Sequence, residues 1–285
     1  MSIQRIVLGL CYDGAAYHGW QCQGHIKTIQ NTLQQALSDV ADHPITVTCA
    51  GRTDAGVHAT GQVVHFDTQA QRTNDAWLLG TNSHLPSDIR ISWVKPVASI
   101  VLKPNKTRTN YQTSNVQECD PTFHARFSAT ARCYRYIIYN HNIPPAILRH
   151  AVGWYDPPLD EKKMQEAATH LVGRHDFNAF RGAGCQARTS ERTVEYINIT
   201  RIRRMIVIEI KANAFLLHMV RNMVGSLVWI GSGKRSNDWL KSVLELKERH
   251  HAGATMMPNG LYLVNVQYPK TFNLPTRPVG PFFLP

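Results

Sequence analysis

Ile45-Thr46-Val47-Thr48-Cys49-Ala50-Gly51-Arg52-Thr53-Asp54-Ala55-Gly56-Val57-His58-Ala59-Thr60-Gly61-Gln62-Val63-Val64-His65-Phe66 is two strand-like apolar runs with a loop held between them. The loop carries one carboxylate, one guanidinium and three glycines. Glycine lets the backbone take positive φ and come close to a ligand. Loops mounted on strand ends are where functional side chains usually stand. Two readings of Asp54 follow. Its carboxylate accepts from nearby backbone N–H groups in an Asx turn, or it is presented to a ligand.

Outward from this stretch, residues 6–12 read as a strand, followed by the glycine-containing loop 13–21. Ile29, Leu33, Leu37 and Val40 recur near the helical period, with Thr28 placed as N-cap. On the other side, a short helix is predicted over 75–80, and Ile89, Ile91 and Trp93 alternate as a strand. The order is β-α-β-β-α-β. Residues 99–120 are polar and lose all periodicity, as a linker or insertion does.

Beyond it the same order returns. Strands are predicted over 133–139, 193–200, 205–211 and 261–266, and helices over 161–172, 216–228 and 237–246. The tail from Pro269 holds five prolines in 17 residues and reads as an extended strap. The fold class expected is α+β: two pseudo-repeated ferredoxin- or RRM-like halves forming a combined antiparallel sheet with a central cleft. Residues 1–98 form the first half, 99–120 the linker and 121–285 the second half.

The chain of 285 residues is 43% hydrophobic, enough for a full core. No apolar run approaches the ~20 residues that span a bilayer. The strand-like opening shows no small-residue cleavage site, so no signal peptide is expected. Lys and Arg number 31 against 20 Asp and Glu, a net charge of +11. That excess suits a polyanion, whose neutralised phosphates release counterions. Much of it is Arg, whose fork fits phosphate better than the point charge of Lys. Six cysteines show no C-x-x-C pair, and the histidines lack zinc spacing. A reducing cytoplasm and the absence of a metal site are the expectations.

Three features do not suit a plain core. Arg221 stands on the most apolar helix, so it either snorkels at an edge or is buried with an anionic partner. Asp54 is the unclaimed candidate. In Arg132-Cys133-Tyr134-Arg135-Tyr136 the two tyrosines point to one face of a strand, as on a platform for a splayed base. Arg181, Arg188 and Arg192 surround Gly182-Ala183-Gly184, as phosphate contacts or as a solvated basic loop.

Together these blocks resemble the TruA-type tRNA pseudouridine synthases. The resemblance rests on the 51–59 loop and on Tyr12-Asp13-Gly14 with Gly19-Trp20-Gln21. It continues through Phe123-His124-Ala125-Arg126-Phe127-Ser128 with 132–136, then 215–227 and Gly260-Leu261-Tyr262-Leu263. It covers nearly the whole chain, and the departure is a 99–120 segment longer than the family has between its halves. The resemblance implies that Asp54 is the catalytic aspartate, Arg221 its paired arginine and Tyr134 the tyrosine that stacks on the target uracil. Arg52 would fill the space left by the flipped nucleotide, and Leu261 or Leu263 would form the apolar wall. Arg126, Arg181 and Arg188 are the expected tRNA contacts. The implied reaction converts uridines 38 to 40 of the tRNA anticodon stem-loop to pseudouridine, in a homodimer, without metal or cofactor. Asp54 would add to C6 of the uracil, add to C1′ of the ribose, or take a ribose proton; Tyr134 is a candidate base at C5. Two other readings are a non-catalytic RNA-binding protein and an aspartate-nucleophile phosphatase. The latter needs a second carboxylate and Mg²⁺, and residues 52–56 supply neither.

Overall fold

The computed structural model describes residues 3–97 and 123–284, and in it the runs flanking Asp54 belong to one ten-stranded sheet. Strand β1 (Gln4–Tyr12) leads to helix α1 (Ile29–Ala41), the two-residue strand β2 (Thr48–Cys49) and the long strand β3 (His58–Thr68). A helical turn over Ala76–Gly80 continues into α2 (Thr81–His84), and β4 (Ile89–Val97) follows. The predicted 99–120 segment and the division at 98 lie outside the described residues. The chain resumes with β5 (Ala131–Asn140), β6 (Gly153–Tyr155), α3 (Glu161–Ala168), β7 (Gly173–Asp176), β8 (Glu191–Ile202) and β9 (Met205–Ala212). Helices α4 (Met219–Gly231) and α5 (Trp239–Leu246) and strand β10 (Leu261–Gln267) complete it.

The sheet runs β4-β1-β3-β10-β5-β9-β8-β7, with β2 on β3 and β6 on β5. The expected combined sheet in an α+β chain is present, and it is mostly antiparallel; β3–β10 and β5–β6 are parallel. The parallel pairing of β3 with β10 is short: Tyr262 pairs with His58 and Leu263 with Ala59. The free edge of β3 is thus divided, with β10 on residues 58–59 and β2 on residues 64–65. The strand predicted over 45–50 pairs with β3 at Thr48 and Cys49, and the Ala50 N–H donates to the Val63 carbonyl at 2.8 Å. Chain released from that edge becomes the Asp54 loop.

Local chemistry fixes the helices. Thr28 caps α1, its hydroxyl accepting from the Asn31 N–H at 3.3 Å. Ile29, Leu33 and Leu37 bury the inner face of α1 completely. The helix predicted over 161–172 ends at Ala168, relaxes into a tighter turn, and gives way at Gly173 (φ 110) to β7. Helix α4 begins at Met219 and not at 216, because His218 takes a left-handed conformation, φ 59. As the alternation requires, Tyr134 and Tyr136 face the helix-covered core while Cys133 and Ile137 belong to a smaller cluster on the other side. Arg135 also stands on that second side, and the proline-rich strap is held there. The Arg135 guanidinium donates to the carbonyls of Val279 and Gly280 at 3.2 and 2.9 Å.

One buried titratable group gives the fold a pH limit. His65 on β3 is 5% exposed, and its Nδ1 accepts the Ala125 N–H at 3.1 Å. Burial, reinforced by the nearby Arg5 and His124, pushes its pKa down to about 4. The native state therefore holds the neutral ring, whereas the unfolded chain protonates near 6.5. The stabilisation is complete above about pH 6.5 and is lost as pH falls from there towards 4, at most about 3 kcal/mol. Melting temperatures should drop across this window for the wild type. They should drop less for His65→Asn, whose amide oxygen replaces the Nδ1 acceptor without titrating.

Candidate active site

The Asp54 loop is built on a floor from the N-terminal motif. Gln62, fully buried, donates to the Gly51 carbonyl at 2.6 Å and accepts the Gly51 N–H at 3.4 Å. The hydroxyls of Tyr12 and Thr53 lie 2.8 Å apart, and the Thr53 carbonyl accepts the Trp20 N–H at 2.9 Å. Gly14 lets this floor close up, since a Cβ there would sit 2.0 Å from the Val57 carbonyl oxygen. Gly56 turns the loop with φ 76 against Pro258.

The Asp54 carboxylate does not serve as an Asx turn: among the described residues no backbone N–H donates to it. Its Oδ2 instead meets Nη1 of Arg221 at 3.3 Å and Nε2 of His218 at 3.5 Å. The Arg221 side chain is 13% exposed, so it does not snorkel. Its Nε donates to the Met256 carbonyl at 2.7 Å, while the Met256 N–H donates back to the Arg221 carbonyl at 3.3 Å. The guanidinium is fixed between a backbone oxygen and the carboxylate. His218 is the residue before α4 and Arg221 stands in its first turn, so both groups reach Asp54 from the N-terminal end of that helix. Oδ1 has no partner among the described residues.

His218 was not among the sequence candidates. Its spacing of three before Arg221 would place both on one helix face, but it stands before the helix, and the left-handed turn brings its ring round.

Tyr134 stands beside the loop, buried and edge-on to Phe215, with ring centroids 5.0 Å apart at 84°. A Cβ on Gly51 would lie 3.7 Å from the Tyr134 hydroxyl and 3.8 Å from Leu263 Cδ2. Gly51 thus brings the backbone up to both side chains. Burial and then the Asp54 charge push the Tyr134 pKa well above its ordinary value, so it stays a neutral phenol. In the β5–β10 register Leu263 faces Tyr134, and Leu261 faces Tyr136. Of the two leucines, Leu263 is the one against the site.

Of the basic residues, Arg52, Arg126 and Arg188 are exposed. Arg181 is half-buried and turned inward, donating to the carbonyls of Cys185 and Ala187 at 2.6 and 3.1 Å. It braces its loop, which reaches the site through the Gly182 N–H on the Leu217 carbonyl at 2.8 Å. Arg132 is a second brace. Its Nη2 donates to the carbonyls of Ala50 and Arg126 at 3.0 and 2.6 Å, tying the start of the Asp54 loop to residues 124–128.

A family model described as tRNA pseudouridine synthase matches residues 11–105 and 167–269. The chain is 57% identical over 281 residues to the tRNA pseudouridine synthase A of Coxiella burnetii, covering 99% of each chain. It is 51% identical over 280 residues to the protein of that name from Shewanella woodyi, covering 98% of this chain and 99% of the relative. With that of Klebsiella pneumoniae it shares 50% over 282 residues, 99% of this chain and 96% of the relative.

Proposed function

This chain belongs to the tRNA pseudouridine synthase family, isomerases of uridine in tRNA, and from that membership we propose that Asp54 is its catalytic group and uridines 38 to 40 of the anticodon stem-loop its targets. The observation that carries the assignment is the Asp54 carboxylate, with Oδ2 held by Arg221 and His218, Oδ1 without a partner among the described residues, and its charge felt by Tyr134. A uridine in a stem must leave the stack to reach it, at a cost of a few kcal/mol. Stacking on Tyr134 against the Leu263 wall offsets part of that, and Arg52 enters the space vacated. Oδ1 then adds to C6 or to C1′, or takes a ribose proton. In each route the N1–C1′ bond breaks, the base turns and C5–C1′ forms; any bond to Asp54 is then released or the ribose proton returned, C5 gives up its proton and N1 gains one, so substrate and product are isomers. Tyr134 stacks on the base as a neutral phenol and stays the candidate for the C5 proton. An aspartate-nucleophile phosphatase would need a second carboxylate here, where Arg221 and His218 stand instead.

The wider reading is consistent with this. Arg126 and Arg188, exposed in a chain of net charge +11, contact the RNA backbone, while Arg181 supports its loop. The strand orders β4-β1-β3-β2 and β10-β5-β9-β8 follow one pattern, which supports two halves descended from one unit, divided in the 99–120 region. The enzyme acts as a homodimer in the cytoplasm, where the free thiols described, Cys11, Cys22, Cys49, Cys133 and Cys185, stay reduced. The test maps pseudouridine in an unmodified tRNA carrying uridines at 38, 39 and 40 and elsewhere. New pseudouridine is expected within those three positions; modification confined to other regions would overturn the assignment.

A further inference from the structure

Phe127 is 77% exposed, and a single exposed phenylalanine needs no explanation by itself. This one is held rigidly. The His124 ring stacks on it, with centroids 4.3 Å apart and planes at 26°. Nδ1 of that ring accepts two backbone N–H groups, from Arg126 at 3.2 Å and from Phe127 at 3.1 Å. Burial lowers the pKa of His124, which keeps Nδ1 an acceptor. The turn is closed by Ser128, whose hydroxyl accepts the His124 N–H and whose own N–H donates to the His124 carbonyl, both at 2.9 Å. Below it the Tyr268 hydroxyl holds the Ala125 carbonyl at 2.6 Å. The imidazole stacks on the phenyl ring, which otherwise is largely open to solvent.

Its position matters as much as its rigidity. Arg132 bonds the Arg126 and Ala50 carbonyls with one nitrogen, so the Phe127 turn abuts the strand end that leads into Gly51 and Arg52. The Arg126 guanidinium lies 5.8 Å from the phenyl centre. A largely exposed aromatic ring with one arginine over it, on a turn tied to the strand end that leads into Arg52 and the loop carrying the catalytic carboxylate, has the chemistry that receives an unstacked nucleobase and its phosphate.

We propose that the His124–Phe127 stack is a docking platform for a second unpaired nucleobase of the RNA, on a nucleotide near the one taken in beside Tyr134. The proposal rests on the tRNA reading above. Stacking tolerates any base, so the platform holds the strand without choosing its sequence.

The test compares wild type with Phe127→Ala, Phe127→Leu and Phe127→Trp, using unmodified tRNA, its direct binding, and tritium release from [5-³H]uridine. Loss of one base stack should weaken tRNA binding by about ten-fold in Phe127→Ala, with KM rising far more than kcat falls. Phe127→Leu should be as weak, because it keeps the apolar bulk without the plane. Phe127→Trp should bind like wild type, and its added indole fluorescence should be quenched by tRNA. The proposal is overturned if Phe127→Ala binds like wild type, if Leu restores binding, or if Phe127→Ala changes the sedimentation of the free protein, which would make this face a contact between copies. A wild type that releases no tritium defeats the tRNA reading, and direct tRNA binding by the variants still decides the platform.

Discussion

Asp54→Asn is expected to bind tRNA at least as tightly as wild type and to form no measurable pseudouridine, with kcat down by about 10⁴-fold or more. The substitution keeps the shape of the side chain and its place on the loop held by Gln62, Thr53 and Trp20. Its amide oxygen will turn to Arg221 and His218, the two groups now facing Oδ2. The NH₂ then occupies the Oδ1 position, where it is neither nucleophile nor base. Removing one negative charge from a surface that receives phosphates cannot weaken RNA binding through electrostatics. Filter binding beside single-turnover conversion separates the two effects, and a variant that loses both would signal a collapsed loop.

Arg221→Met is the second large effect, and it acts on both stability and rate. Truncation leaves a partly buried carboxylate without its guanidinium and frees the Met256 carbonyl. Removing one partner of a fully buried pair costs about 3–5 kcal/mol. With the Asp54 side chain 25% exposed, water recovers part of that, and about 1–3 kcal/mol is expected. A carboxylate free to swing loses its aim, and small misplacements of this kind cost about 10²-fold in rate. Arg221→Lys should rescue little, because an ammonium cannot hold Met256 and Asp54 with separate nitrogens of one rigid fork. In the Asp54→Asn background the stability penalty of Arg221→Met should shrink, since no unpaired charge remains. A double-mutant cycle by denaturant unfolding reads that coupling directly.

How much was legible beforehand depended on how local the cause was. Asp54 stood out because glycines and two strand-like runs bracket it within a few residues. Arg221 stood out because a charge on an apolar helix conflicts with its surroundings, and that conflict points to a partner. The alternation through Tyr134 and Tyr136 set their face correctly. What was missed has causes that residue type and periodicity do not carry. Strand β2 pairs with β3 at two residues, while β10, some two hundred positions later, lies on the other end of the same edge. His218 enters through a left-handed residue that no helical periodicity reveals. Arg181 has the composition of a phosphate contact, yet the carbonyls of its own loop claim it. Strands β6 and β7, of three and four residues, are too short to show a period.

The most direct measurement of the central claim is tritium release from [5-³H]uridine-labelled tRNA by wild type and Asp54→Asn side by side, at matched tRNA occupancy. Release by the wild type alone is the predicted result, since C5 loses its hydrogen only when the base has been turned and rejoined to the ribose. Equal release by both would remove Asp54 from the chemistry. No release by a wild type that binds the tRNA would contradict the account at its root.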